Sequence, residues 1–344
     1  MNTRERVALL ASVVAQFPEM GTFGDESALL ELIRLELGSE TALDEGQVSA
    51  PRKLLHIISG NTAMAGMQSL VRGLILGSKN WCKLPGGGLP MFEEFVSRLP
   101  MELRAMVEVS SVLRPNWLET ADAVVVFGSD ATVKTLRKLV REDQIFVGYG
   151  SRWSGAVIFS DSDFSSVVPL VKDVSLYDQM GCLSAQIVWL HESIDVVEYG
   201  EKFSTELERY VKEHLTAKLG LEDASSISRW RSTAEWKTST DGHIWLSKGE
   251  PVFGVVFSNL APGLSCLHRH VTLVRFSEKP ELGDLASSVS TLGLWPDSPE
   301  NRLQLASSGA SRFCKVGEMQ FPSPTWQQDG APGLGRLVQI PSVG

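Results

Sequence analysis

From Leu54 onward the apolar residues run in short unbroken blocks, and each block gives way to a stretch with helical spacing. The blocks Leu54 to Ser59, Asn80 to Leu84, Ala121 to Phe127, Ile145 to Tyr149 and Ala156 to Phe159 are predicted strands. Helices are predicted between them at Thr62 to Leu76, Met91 to Leu99, Met101 to Leu113 and Ala131 to Val140. A run such as Ala123-Val124-Val125-Val126-Phe127 is apolar without alternation, which suits a parallel sheet covered on both faces. The alternation of strand and helix is that of an open, doubly wound nucleotide-binding sheet. The first fifty residues read as helical: Asn2-Thr3 start an amphipathic helix, Asp25 caps Ser27 to Leu37, and Gly38 ends it.

Beyond about residue 160 the rhythm restarts, with a helix over Phe164 to Leu170 and a turn around Cys182 leading into a strand, Gln186 to Leu190. A charged helix, Phe203 to Leu219, precedes strands near Ile244, Val252 to Phe257 and Val271 to Phe276. The polar, Ser/Thr-rich stretch Glu222 to Gly242 reads as a surface excursion. Two α/β domains follow, residues 1–160 and 161–344, the last residues returning to the first domain.

With 344 residues, 43% of them apolar and 21% charged, the chain can bury two cores and is not a disordered protein. A net charge of −9 argues against a nucleic-acid binder, which needs a basic surface. Cys82, Cys182, Cys266 and Cys314 form no CxxC pair and have no histidine at metal-ligand spacing. Neither a disulfide framework nor a zinc site is expected, and a reducing cytoplasm fits. The apolar run after Arg4 and Arg6 is short and reads as helix rather than signal peptide, and no run reaches the ~20 apolar residues of a membrane span.

The candidate chemistry begins with Cys182, in Asp178-Gln179-Met180-Gly181-Cys182-Leu183-Ser184, at the mouth of a predicted buried strand. A thiol there can serve as nucleophile; a structural cysteine is the alternative. Asn61, where a strand becomes a helix, can donate to a developing oxyanion or cap the helix. Gly128-Ser129 lies between a buried strand and a helix start, where backbone N–H groups can meet a pyrophosphate; Ser129 or Asp130 as a plain cap is the alternative. Lys83, at the end of a strand, can reach a ribose or a 2′-phosphate, or stay solvated. The fingerprint GxGxxG and a P-loop are absent, and the Gly-rich stretch Pro85 to Pro90 reads as a turn.

Taken in order, these pieces resemble the aldehyde dehydrogenase superfamily, and more closely the fatty acyl-CoA reductase family of bacterial bioluminescence. The resemblance rests on His56 to Asn61, Lys83-Leu84-Pro85, Val125 to Asp130, Tyr149-Gly150 with Ser154, and Asp178 to Ser184. Further on, Leu267-His268-Arg269-His270, Gly317-Glu318-Met319, Trp326 and Asp329-Gly330 extend it. It implies two doubly wound Rossmann-like domains, the first binding a nicotinamide cofactor and the second catalytic. It implies NADPH-dependent reduction of an acyl-CoA thioester to an aldehyde through a thioacyl-cysteine on Cys182. Asn61 would complete an oxyanion hole with the Cys182 N–H, Lys83 would contact the adenosine ribose, and Gly128-Ser129 the pyrophosphate. One departure sharpens this expectation. Acid-forming aldehyde dehydrogenases carry a water-activating glutamate at a position that here, 34 residues before Cys182, is Gly148. Glycine cannot shuttle a proton, which points to the reductive direction. A non-catalytic or acyl-transferring subunit of an acyl-processing complex is the other reading. An acyl-CoA or acyl-carrier-protein substrate, a homo-oligomer and partner subunits are implied, and no nucleic acid. His191, His268 and His270 are candidate activators of the thiol by residue type alone, and Arg269 can face coenzyme A phosphates or sit in a solvated loop.

Overall fold

In the computed structural model, which describes residues 1–60, 63–214 and 219–340, the chain opens with α1 (Thr3–Val14). There the Asn2 side chain accepts from the Glu5 N–H while the Glu5 carboxylate accepts from the Asn2 N–H. Helix α2 (Glu26–Leu37) starts on the Asp25 carboxylate and ends at Gly38, which takes the left-handed conformation. The alternation that follows is β1 (Lys53–Ile57), α3 (Ala63–Ile75), β2 (Lys79–Lys83), α4 (Pro90–Arg98), α5 (Met101–Arg104), β3 (Val107–Ser110), α6 (Pro115–Thr120), β4 (Ala123–Phe127), α7 (Asp130–Arg137) and β5 (Ile145–Tyr149). These five strands form a wholly parallel sheet in the order β3-β2-β1-β4-β5. The winding direction reverses between β1 and β4, so a crevice opens at the carboxyl ends of those strands.

The helix expected from Met101 to Leu113 is a correction. Only one turn forms, as α5; then Val107 and Val109 pair with β2 as an edge strand, and Pro115 starts a new helix. The β-branched valines at alternate positions favour the ladder over the helix.

Helix α3 lies close against this sheet because of a buried polar cluster. His56 on β1 bonds through Nδ1 to Ser69 Oγ at 2.8 Å and through Nε2 to Asn80 Oδ1 at 3.0 Å. Asn80 Oδ1 only accepts, so Nε2 carries the proton and Ser69 donates to Nδ1. A side chain at Gly73 would put its Cβ 1.9 Å from that Asn80 oxygen, so helix and strand meet only with glycine there. Residues 321–340 pack with Met1–Ser151 as one compact unit. The Glu36 carboxylate accepts the N–H groups of Gly333, Leu334 and Gly335, and Ser49 bridges Gln339.

The second unit, Arg152–Gln320, contains β6 (Trp153–Ile158), α8 (Val167–Ser175), β7 (Ala185–His191), α9 (Val196–Glu213), α10 (Leu221–Thr238), β8 (Gly242–Leu246), β9 (Gly254–Ser258), β10 (His270–Phe276), β11 (Val289–Trp295), α11 (Pro299–Gln304) and β12 (Arg312–Lys315). Its sheet runs β12-β11-β6-β7-β10-β9-β8, parallel except for β8 against β9. The division falls at Arg152 rather than near residue 160, because β6 pairs with β7 and β11. The stretch expected as a surface excursion is α10, a helix with only Ile227 and Ala234 buried, so it carries no apolar stripe to reveal it. Strands β11 and β12 went unanticipated, since Ser290, Thr291 and Gly293 interrupt the apolar run of β11. Among the described residues no helix is long and apolar enough to cross a membrane.

Full burial pushes the His56 imidazole down to about 4, against the Asn80 bond that favours its charged form. Below its unfolded value of 6.5 the unfolded chain takes up a proton that the folded chain refuses, so stability falls as pH drops from 6.5 towards 4. Between pH 7 and pH 5 this group alone costs about 2 kcal/mol. Urea titrations at both pH values should show a smaller acid loss in His56→Gln than in the wild type; equal losses would remove His56 as the source.

Candidate active site

Cys182 sits on the turn that feeds β7, at the amino edge of the second sheet. Its carbonyl accepts from Ser154 Oγ at 2.7 Å, and Ser154 in turn accepts the Thr291 N–H, tying the turn to β6 and β11. The Ser184 N–H closes back on the Gly181 carbonyl, and Gln320 Nε2 donates to Ser184 Oγ and to the Asp173 carbonyl. Asp173 also receives the N–H groups of Gly317 and Met319, which fixes the Gly317-Glu318-Met319 segment. The backbone around the thiol is therefore held from several sides while Cys182 itself is exposed.

The approach to this turn is unusual. Tyr177, Asp178 and Gln179 all take left-handed backbone conformations, with φ of 55°, 55° and 65°. Leu267, His268 and Arg269 do the same, at 65°, 51° and 63°. None of the six is glycine, so each costs energy that its surroundings must offset, about 1–3 kcal/mol per residue. The two turns hold each other. Arg269 Nη2 lies 2.6 Å from Asp178 Oδ1, and Arg269 is only 3% exposed. Gln179, wholly buried, donates to the carbonyls of Ala185 and His270 and accepts the His270 N–H. Arg269 also donates to the His214 carbonyl just past the end of α9.

The position of Arg269 corrects the expectation of a phosphate-facing or solvated side chain: its guanidinium is buried against Asp178. The three histidines also resolve. His191 ends β7 and bonds Ser193, at the opposite edge of the sheet from Cys182. His268 pairs with Asp223 of α10 at 3.3 Å. His270 Nδ1 donates to the carbonyls of Leu267 and His268, and burial with the nearby Arg231 cation pushes the imidazole down to about 4. It is neutral and structural. Of the four thiols, Cys82 and Cys314 are buried and Cys266 is half-buried. Burial raises the Cys82 thiol far above its usual range and pushes Cys266 and Cys314 up to about 12.

In the first unit, Lys83 and Gly128-Ser129 gather at the carboxyl edge of the five-stranded sheet. Lys83 is the last residue of β2, in register with Ile57 of β1, which is itself in register with Val126 of β4. It is half-buried, and among the described residues no carboxylate pairs with its amine. Ser129 caps α7 by accepting the Thr132 N–H at 3.2 Å, and a side chain on Gly128 would crowd Thr132 at 3.2 Å. Asp130, the anion at this helix start, is engaged with the Ser151 N–H at 2.8 Å. An uncommitted cation, a helix N-terminus and bare backbone at a switch point are the donor set a dinucleotide phosphate needs. Asn61 lies outside the described residues. Gly148, on β5, has no room for a side chain: a Cβ would sit 2.5 Å from Val133 Cγ1. Among the described residues no cluster of His, Cys, Asp and Glu is placed to hold a metal.

Sequence reading missed the Arg269–Asp178 pair, Gln179 and the Asp173 bonds. Asp178, Gln179 and Arg269 stood inside the quoted segments, but nothing in one dimension pairs them, and the left-handed turns lack the glycines that usually advertise them.

The family model described as acyl-CoA reductase (LuxC) matches residues 5–340. No curated protein matches the sequence. Among solved structures, aldehyde dehydrogenase 21 from Physcomitrella patens, in complex with the reaction product succinate, is similar with a TM-score of 0.68 at 12% identity, over 98% of this chain and 85% of that chain. Glyceraldehyde-3-phosphate dehydrogenase GapN from Methanocaldococcus jannaschii, complexed with NADP, gives 0.66 at 11% identity, over 98% and 89%. A Mycobacterium tuberculosis aldehyde dehydrogenase complexed with NAD+ gives 0.63 at 12% identity, over 100% and 86%. Identities this low establish a shared fold, the aldehyde dehydrogenase fold.

The exposure difference among the thiols gives a direct expectation. Iodoacetamide at pH 8 should alkylate Cys182 at least about 10²-fold faster than Cys82, Cys266 or Cys314, because a buried thiol supplies almost no thiolate. Peptide mapping by mass spectrometry checks this; comparable rates at two or more sites would contradict it.

Proposed function

The chain belongs to the acyl-CoA reductase family and is an acyl-CoA-reducing, aldehyde-forming enzyme with the aldehyde dehydrogenase fold, and we propose that it works through Cys182 with NADPH as reductant. The observation that carries this reading is the contrast at the thiols: Cys182 alone is exposed, on a turn bonded to β6 through the Cys182 carbonyl and to β7 and β10 through the Gln179 carboxamide. The thiolate of Cys182 attacks the thioester carbonyl, the carbon–sulfur bond to coenzyme A breaks, and the departing thiolate takes a proton from solvent. Exchange of one thioester for another is nearly balanced in energy, so the protein mainly supplies position and exclusion of water. The Cys182 N–H and Asn61 stabilise the oxyanion in this scheme.

Lys83, Gly128 and Ser129 would hold the cofactor, and Lys83 favours the phosphorylated form because no carboxylate among the described residues competes with a 2′-phosphate for its cation. The cofactor, when bound, supplies hydride to the acyl carbon. Cys182 keeps the acyl group at the thioester level until then and afterwards leaves as thiolate, freeing the aldehyde. Gly148 supports this direction, since position 148 has neither a proton-shuttling group nor space for one. On this reading the first unit is the cofactor domain and the second the catalytic domain; the carrier is coenzyme A or an acyl carrier protein, in a cytoplasmic setting.

The test is NADPH oxidation across acyl-CoAs of graded chain length, with the aldehyde identified. Cys182→Ala should abolish turnover, and Asn61→Ala should lower it on the order of 10²–10³-fold. Turnover by Cys182→Ala would end the proposal. Lys83→Ala should raise KM for NADPH several-fold more than KM for NADH; equal effects would remove Lys83 from the 2′-phosphate.

A further inference from the structure

We propose that Arg269 and Asp178 form a clamp that positions Cys182 for attack, so that Arg269 is a positioning residue of the reaction; this rests on the reading of Cys182 as nucleophile. The two left-handed turns that meet here are three residues each, all without glycine, and neither has the backbone preference to persist alone. What holds them is chemistry between them: the 2.6 Å ion pair, with Arg269 sequestered from solvent and Asp178 partly open to it, and the Gln179 carboxamide bonded to His270 beside Arg269. Asp178 stands four residues before Cys182, and only Gln179, Met180 and Gly181 separate them. Of these, Gln179 is fixed at the heads of β7 and β10. Beyond them the segment is gripped by Ser154 and by the Ser184 N–H on the Gly181 carbonyl, and the turn that Arg269 holds sets how the chain enters that grip.

Arg269 also anchors more than this one turn. One guanidinium nitrogen serves both Asp178 and the His214 carbonyl at the end of α9, linking the turn to a long helix. The Arg269 carbonyl accepts the Gly254 N–H at the head of β9, extending the connection across the sheet. A buried arginine that joins three elements on the amino edge, with its charge aimed at the residue that opens the Cys182 turn, transmits rigidity to that turn.

The experiment is rapid-quench acylation of the full chain by radiolabelled acyl-CoA, in the wild type, Asp178→Asn, Arg269→Lys and Arg269→Gln. Amplitude reports how many molecules carry a competent site, and rate reports how well the thiol is placed. The clamp predicts wild-type amplitude with a rate lowered about 10- to 100-fold in Asp178→Asn and Arg269→Gln. Arg269→Lys should recover part of the loss, and kcat should fall while KM for acyl-CoA changes less than about twofold. A role confined to folding would lower amplitude and leave the rate of the surviving molecules unchanged, which overturns the proposal. If Arg269→Gln does not fold, Asp178→Asn, partly exposed and isosteric, decides alone. Wild-type rates in folded variants would overturn the clamp while leaving Cys182 as nucleophile; a wild type that takes no label on Cys182 would overturn both.

Discussion

The carboxamide of Gln179 is the fixed point of the second unit. It is fully buried and makes three bonds to backbone: to the carbonyls heading β7 and β10, and from the N–H of His270. Removing it would take a buried donor from the Ala185 and His270 carbonyls and leave the His270 N–H only its longer bond to the Leu267 carbonyl at 3.2 Å. Everything proposed about Cys182 depends on this point, because an attacking thiol must be open to substrate while its backbone stays still. Stillness at the amino edge of the sheet comes through Ser154, Gln179 and Gln320, and Cys182 on the turn they hold is exposed.

The first unit applies the same economy to a different end. Its polar interior group, His56 with Ser69 and Asn80, locks α3 onto β1 and β2 and leaves the carboxyl edge of the sheet free of structural duty. At that edge stand Lys83, with no carboxylate partner among the described residues, and the cap of α7. The returning C-terminal segment closes the unit on Glu36, whose carboxylate gathers three consecutive N–H groups. The sites proposed in both units thus lie at strand ends, where side chains are released from packing.

Much of this was legible in the sequence because parallel strands buried on both faces leave unbroken apolar blocks, as in Ala123 to Phe127. The place of Cys182 on a turn just before a buried strand was legible too, from Gly181 beside it and the apolar run after it. Illegibility had definite physical causes. Helix α10 buries almost nothing, so it leaves no stripe, and β11 is interrupted by Ser290, Thr291 and Gly293. The expected helix ran past Arg104 because the preference of Val107 and Val109 for a strand is weak over so short a run until β2 is there to pair with them. The residues that hold the Cys182 turn were hidden most completely. Arg269 finds Asp178 across 91 residues of chain in the same contact as Gln179 and His270. Left-handed residues without glycine give no local sign of themselves.

The central claim is that substrate carbon becomes bonded to one sulfur before it is reduced, and one measurement addresses it directly. Intact enzyme is mixed with acyl-CoA in the absence of NADPH, quenched in acid within a turnover, digested and examined by mass spectrometry, then chased with NADPH in a parallel sample. The account predicts an acyl thioester on the Cys182 peptide and on no other, which disappears in the chase as one aldehyde forms per adduct. An unmodified Cys182 peptide, or an adduct that NADPH leaves untouched, would contradict it.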